Sequence, residues 1–149
     1  MIKFSHTRGE YGCFSNFTKA KIEIDGLDFT SSEAAWQAFK TTDITERKLF
    51  CNMTPAAAKR AGRRLKLRAD WEKVKYQLMV EVLRAKFNQH EKMREKLLST
   101  GDEELIEDTT GWHDNIWGDC SCEKCKQVVG KNLLGKALMQ VREELRNKK

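Results

Sequence analysis

After Asp70, apolar residues return at intervals of three and four: Trp71, Val74, Leu78, Val82 and Ala85. That spacing draws one buried stripe along a long helix, which has no stability in water unless other elements cover it. The elements able to cover it are legible too. Ser32 can cap a helix running to about Lys40, and Thr54 followed by Pro55 opens another that stops at Gly62. Asn132 opens the last, with Leu134, Leu138, Val141 and Leu145 on one side. Apolar and polar residues alternate in IEIDGLDF at 22–29, around Asp25-Gly26, a dipeptide suited to the positive φ angles of a tight hairpin. The expected class is therefore α+β, predominantly helical, with a small antiparallel sheet near the N-terminus. A length of 149 residues, one proline and no linker-like or repeated tract fit a single domain over 1–149.

Charge narrows the partners. A formal charge of +6 suits a phosphate-bearing partner, yet many of the 28 cations sit beside Glu or Asp on helices, where mixed charge is merely solvating. The sharper signal is KRAGRRLKLR at 59–68, six cations with no intervening acid; runs of this kind are more often a solvated basic face than a phosphate cradle. The first residues, MIKFSHTRGEYGC, lack the apolar core of a secretory signal, and no stretch of about 18 apolar residues could span a membrane. The expected location is the cytoplasm, with no membrane partner. Five cysteines, an odd number, then point to free thiols or metal ligands rather than a disulfide framework.

Those thiols concentrate in the least regular part of the chain, roughly 109–131. Cys120, Cys122 and Cys125, with His113 seven residues ahead of the first, supply three thiolates and an imidazole, the ligand set of a tetrahedral zinc site. Four protein ligands leave no open position, so such a zinc is structural and would clamp the loop that presents Trp117 and Asp119. The alternative is three reduced surface thiols.

A single carboxylate, Glu33, stands at the start of a helix rich in Ala, Trp and Phe, in FTSSEAAWQAFK. Thr30 and Glu33 fit an S/T-x-x-E capping box, which would make Glu33 a helix-starting residue and nothing more. However, FSNF at 14–17, SSEAAWQAFK at 31–40, the stretch 56–90, IWGD at 116–119 and KNLLGKALMQVREEL at 131–145 resemble, in order and spacing, the NADAR family. The resemblance covers nearly the whole chain. It implies a mostly helical α+β fold whose pocket accepts a ribose-phosphate or ADP-ribose-like group and hydrolyses the bond from its anomeric carbon to nitrogen. Some members act on early riboflavin-pathway intermediates, and others remove ADP-ribose from guanine. By motif, Glu33 matches the catalytic glutamate, Trp71 a pocket tryptophan, and Trp117 and Asp119 the WGD element; Asn16 and Lys40 are lesser candidates. The DCSCEKC that follows WGD departs from the glycine-rich loop of related sequences.

Elementary chemistry is consistent with this. Breaking an N-glycoside builds positive charge on the sugar, which a carboxylate stabilises while orienting or deprotonating the attacking water. A helix N-terminus favours the charged form of Glu33, and helical spacing sets Gln37 and Lys40 on its side for a phosphate or hydroxyl. Asp119 could hold ribose hydroxyls, serve as a second carboxylate or simply make a turn; Trp71 could stack on a base or pack in the core. The expected substrate is a phosphorylated ribosyl or ADP-ribosyl conjugate, ADP-ribosylated nucleic acid included, with no redox or nucleotide cofactor. The competing readings are a nucleic-acid-binding module, gripping phosphates with the zinc loop and the 59–68 run, and a non-catalytic ADP-ribose reader.

Overall fold

The hairpin forms where the alternation places it. In the computed structural model, which describes residues 1–148, β2 (Ile22–Ile24) and β3 (Leu27–Phe29) pair antiparallel with Ile24 opposite Leu27. Asp25 and Gly26 turn the corner at φ 54° and 76°. The expected domain of 1–149 includes Lys149, which lies outside the described residues. Two compact units are present, one comprising residues 16–91, the other residues 1–15 and 92–149.

In the first unit the hairpin is joined by α1 (Ser32–Ala38), α2 (Ile44–Leu49), α3 (Pro55–Arg64) and α4 (Trp71–Gln89), with α1 packed on both α3 and α4. Its interior contains Ile22, Phe29, Trp36, Phe39, Phe50, Met79, Leu83 and Phe87. The free edge of β2 is covered by a side chain: the Gln89 amide accepts the Glu23 N–H and donates to the Glu23 carbonyl, both at 2.9 Å, imitating a neighbouring strand.

Helix starts follow the expected chemistry with one change of residue. Thr54 caps α3, its hydroxyl accepting the Ala57 N–H, and Pro55 takes the first helical position. The helix runs on to Arg64, since Gly62 lies within it in ordinary helical backbone and does not end it. At α1 the cap is Ser31, not Ser32, with its Oγ accepting the Ala34 N–H at 3.1 Å. Thr30 makes no capping box with Glu33; its hydroxyl donates to the Met53 carbonyl instead. Asp70 does precede α4, but its carboxylate is taken by a two-pronged pair with Arg68. The buried set of α4 also differs from the expected stripe. Trp71 and Val82 are buried, whereas Val74, Leu78 and Ala85 are only half-buried, and Met79, Val80, Leu83, Lys86 and Phe87 are interior. The C-terminal half of α4 is thus covered on more than one face, and a single-stripe reading fails there.

The second unit holds a pairing that the sequence did not announce: β1 (Ile2–Phe4) runs parallel to β4 (Leu105–Glu107), Ile2 opposite Leu105. Its helices are α5 (Glu91–Ser99) and α6 (Leu133–Arg146), the latter packed on β4 and burying Leu134, Leu138 and Val141. Asn132 precedes α6 as expected, yet its side chain does not cap. At φ 51° it turns to β4, taking the Glu107 N–H and donating to the Leu105 carbonyl. No helix is long and apolar enough to cross a membrane, among the described residues.

Candidate active site

Glu33 occupies the first turn of α1, where unpaired N–H groups gather, and is only 7% exposed. Its own N–H is accepted by the Asn16 carbonyl at 3.1 Å. Gln37, one turn on, donates its side-chain N–H to Glu33 Oε1 at 2.9 Å. The carboxylate is therefore gripped from its own helix rather than spent on capping, since Ser31 does that.

Asn16 is buried beside it. Its Oδ1 accepts the Ser32 hydroxyl at 2.8 Å, and its amide nitrogen lies 3.6 Å from Met79 Sδ. Both ends of this side chain hold α1 against α4. Lys40, two turns after Glu33, places its Nζ 5.3 Å above the Trp36 ring and 5.9 Å from that of Trp71. The two indoles meet at 5.0 Å with their planes 53° apart, both largely buried, and Trp36 Nε1 donates to the Lys75 carbonyl. Burial draws the Lys40 pKa below its ordinary value; Glu33 opposes that shift, while Arg63 and Lys59 add to it. Sequence reasoning named Trp71 but missed Trp36, whose signal was its position three residues after Glu33 and four before Lys40.

The basic run divides by direction. Arg60, Arg63, Arg64 and Lys66 are exposed, Arg68 is tied to Asp70 and the Phe39 carbonyl, and Lys59 lies over the Phe17 ring. Most of it is a solvated face.

The other expected residues come together in the second unit. His113 Nδ1 lies 3.3 Å from both Cys120 Sγ and Cys122 Sγ and 3.9 Å from Cys125 Sγ, and all four donor atoms fall within 4.8 Å of one another. Zinc bonds of about 2.3 Å to sulfur and 2.0 Å to nitrogen give tetrahedral S···N edges of roughly 3.5 Å, so the four donors fit a metal such as zinc. The backbone is shaped around this cluster: Cys125 and Lys126 both return their N–H groups to the Cys122 carbonyl. His113 takes φ 60°, a left-handed conformation costly for a residue with a Cβ. Burial pushes the Cys120 thiol up to about 11, while the Cys120 hydrogen bond draws Cys122 down to about 6.

Asp119 directly precedes this cluster. Its backbone bonds to Glu107 and Thr109, and its Oδ1 accepts the Gly130 N–H at 3.0 Å. A Cβ on Gly130 would stand 2.7 Å from Asp119 Cα, and one on Gly118 would strike Thr109 and the Glu107 carbonyl. The glycines flanking Asp119 let the chain close tightly on it. Trp117 is in the same loop, its N–H bound by Asp114 Oδ1.

Residues 16–91 thus bury a carboxylate in the first turn of α1 and hold a lysine over paired indoles. Comparison makes the class definite. A family model described as NADAR domain matches residues 3–146, and the chain belongs to that family. It is 43% identical over 148 residues to N-glycosidase YbiA of Escherichia coli, covering 97% of this chain and 88% of that one. An N-glycosidase of Nostoc punctiforme is 41% identical over 143 residues, covering 92% and 87%. The NMR structure of the E. coli protein YbiA superposes with a TM-score of 0.83 at 41% identity, over 97% of this chain and 84% of that chain. This is an enzyme of the N-glycosidase class, a hydrolase acting on N-glycosyl bonds.

Proposed function

We propose that the chain hydrolyses the N-glycosidic bond of a ribose-phosphate or ADP-ribose conjugate, a riboflavin-pathway intermediate or ADP-ribosylated guanine in nucleic acid, with Glu33 as the catalytic carboxylate. The observation that carries this reading is the buried Glu33 side chain, fixed by Gln37 on the helix that leads directly to Lys40 over two indole rings. In the reaction the C1–N bond breaks and its electron pair leaves with the nitrogen, which gains a proton. Positive charge developing on the sugar is met by the Glu33 carboxylate, which also takes a proton from the water that attacks C1. Lys40 offers its charge to a substrate phosphate, and Trp71 with Trp36 offers apolar faces to the sugar or base. By their match to the family's WGD element, Trp117 and Asp119 are read as substrate-binding residues, Asp119 toward ribose hydroxyls. No redox or nucleotide cofactor enters this chemistry.

His113, Cys120, Cys122 and Cys125 would hold a structural zinc, whose chemistry is to tie four donors together and so fix the 109–131 loop. Cysteines outside any disulfide suit a reducing compartment, and we place the enzyme in the cytoplasm.

The test is Glu33→Gln, assayed by mass spectrometry on a ribosylamino pathway intermediate and on ADP-ribosylated guanine. Turnover is expected to fall by roughly 10²–10⁴-fold with the circular dichroism spectrum unchanged. Undiminished turnover would remove Glu33 from the mechanism.

A further inference from the structure

We infer that Gln37 is a positioning residue that holds the Glu33 carboxylate in one orientation, and that Gly62 on α3 is glycine so that Gln37 can stand there. This rests on the reading of Glu33 as the catalytic group.

Gln37 is 3% exposed and uses its N–H to bond Glu33. Its other end is anomalous. Among the described residues Gln37 Oε1 is the only buried side-chain nitrogen or oxygen without a hydrogen-bond partner. A buried amide oxygen left without a donor opposes folding, and a Leu or Met would fill the same space without that penalty. The neighbours Ala34, Ala35 and Ala38 show what this helix uses where packing alone decides. Nor can the amide turn over, because that would set oxygen against the carboxylate and lose the bond. The Glu33 charge thus fixes which way Gln37 faces, and the amide in turn fixes Glu33.

Gly62 completes the arrangement. It lies inside α3 with no positive φ, so its backbone conformation does not require glycine, and mid-helix glycine is unfavourable. A Cβ there would overlap Gln37 Oε1 and stand 2.7 Å from its Cδ. The absent Cβ is the room that the amide occupies. Any side chain at 62 would drive Gln37, and with it the Glu33 carboxylate, off position.

The experiment compares wild type, Gln37→Met, Gly62→Ala and Glu33→Gln. The first readout needs no substrate: side-chain NMR couplings report the Glu33 χ1 rotamer, expected single in the wild type and averaged in Gln37→Met and Gly62→Ala. The second is kinetic. Both variants should lose kcat by roughly 10–100-fold, as misplacement of a reacting group does, with KM within about twofold. Tm of Gln37→Met should equal or exceed that of wild type, because the unpaired oxygen is gone. A purely structural Gln37 would instead lower Tm and leave the surviving fraction fully active. Should Gly62→Ala fail to fold, Gln37→Met decides alone. A single Glu33 rotamer in Gln37→Met, or undiminished kcat, overturns the inference. If Glu33→Gln keeps full turnover while the rotamer averages as expected, the reading of Glu33 has failed and the positioning contact stands.

Discussion

Lys40 shows how one residue can be set against the stability of its own fold. Its ammonium is held over two indoles in a place where burial disfavours charge, with Arg63 and Lys59 adding to that bias and Glu33 only partly relieving it. A lysine whose folded pKa is lowered opposes folding at every pH below that pKa, and the burden lifts as pH rises through it. Lys40→Met is therefore expected to melt no lower than wild type at pH 7, while KM for a phosphorylated substrate rises about tenfold. A KM unchanged between the two proteins would refute the anion-binding role. At this scale the sequence was informative about identity and silent about posture. Glu33 could be named from the motif around it, but whether its carboxylate served the helix end or something else depended on Ser31 and Thr30. Three adjacent hydroxyl residues, Thr30, Ser31 and Ser32, can each cap, and the choice was made by Met53, which engages Thr30 from far along the chain.

Among the elements, α1 carries the proposed catalytic Glu33, and at seven residues it is too short to stand unaided. Its N-terminus is tied by Ser31 and by the Asn16 carbonyl, so Ser31→Ala should cost about 1 kcal/mol in chemical denaturation. A midpoint unchanged from wild type would mean that Asn16 suffices. The hairpin turn offers an independent check: Gly26 sits at φ 76°, and Gly26→Ala should destabilise by about 1 to 2 kcal/mol with turnover per folded molecule intact. The hairpin, the Thr54-Pro55 start and the apolar side of α6 were legible because each is written in neighbouring residues. The rest needed distant partners. The β1–β4 pair joins three residues at the N-terminus to three beyond position 100, and no local pattern announces it. On α4, Lys86 is wholly buried against the Phe87 ring, a placement that a search for apolar spacing discards.

For the molecule as a whole, the ligand set of His113 with Cys120, Cys122 and Cys125 was legible from its residue types and spacing, whereas the left-handed backbone that His113 adopts within it was not. Purified without chelator, the protein should carry about one equivalent of zinc, and its removal should expose the 109–131 segment to limited proteolysis. A Cys122→Ser protein with the same protease resistance and no bound zinc would show that the loop closes without metal. The four donors lie within residues 113–125, so the closed ring is small and constrains little of the unfolded chain. Metal loss is then expected to lower Tm by only a few degrees, read by thermal melting before and after treatment with chelator. A cell starved of zinc would accordingly accumulate this enzyme with its helices formed and one slack loop at 109–131, a form that ordinary stability assays would pass as healthy.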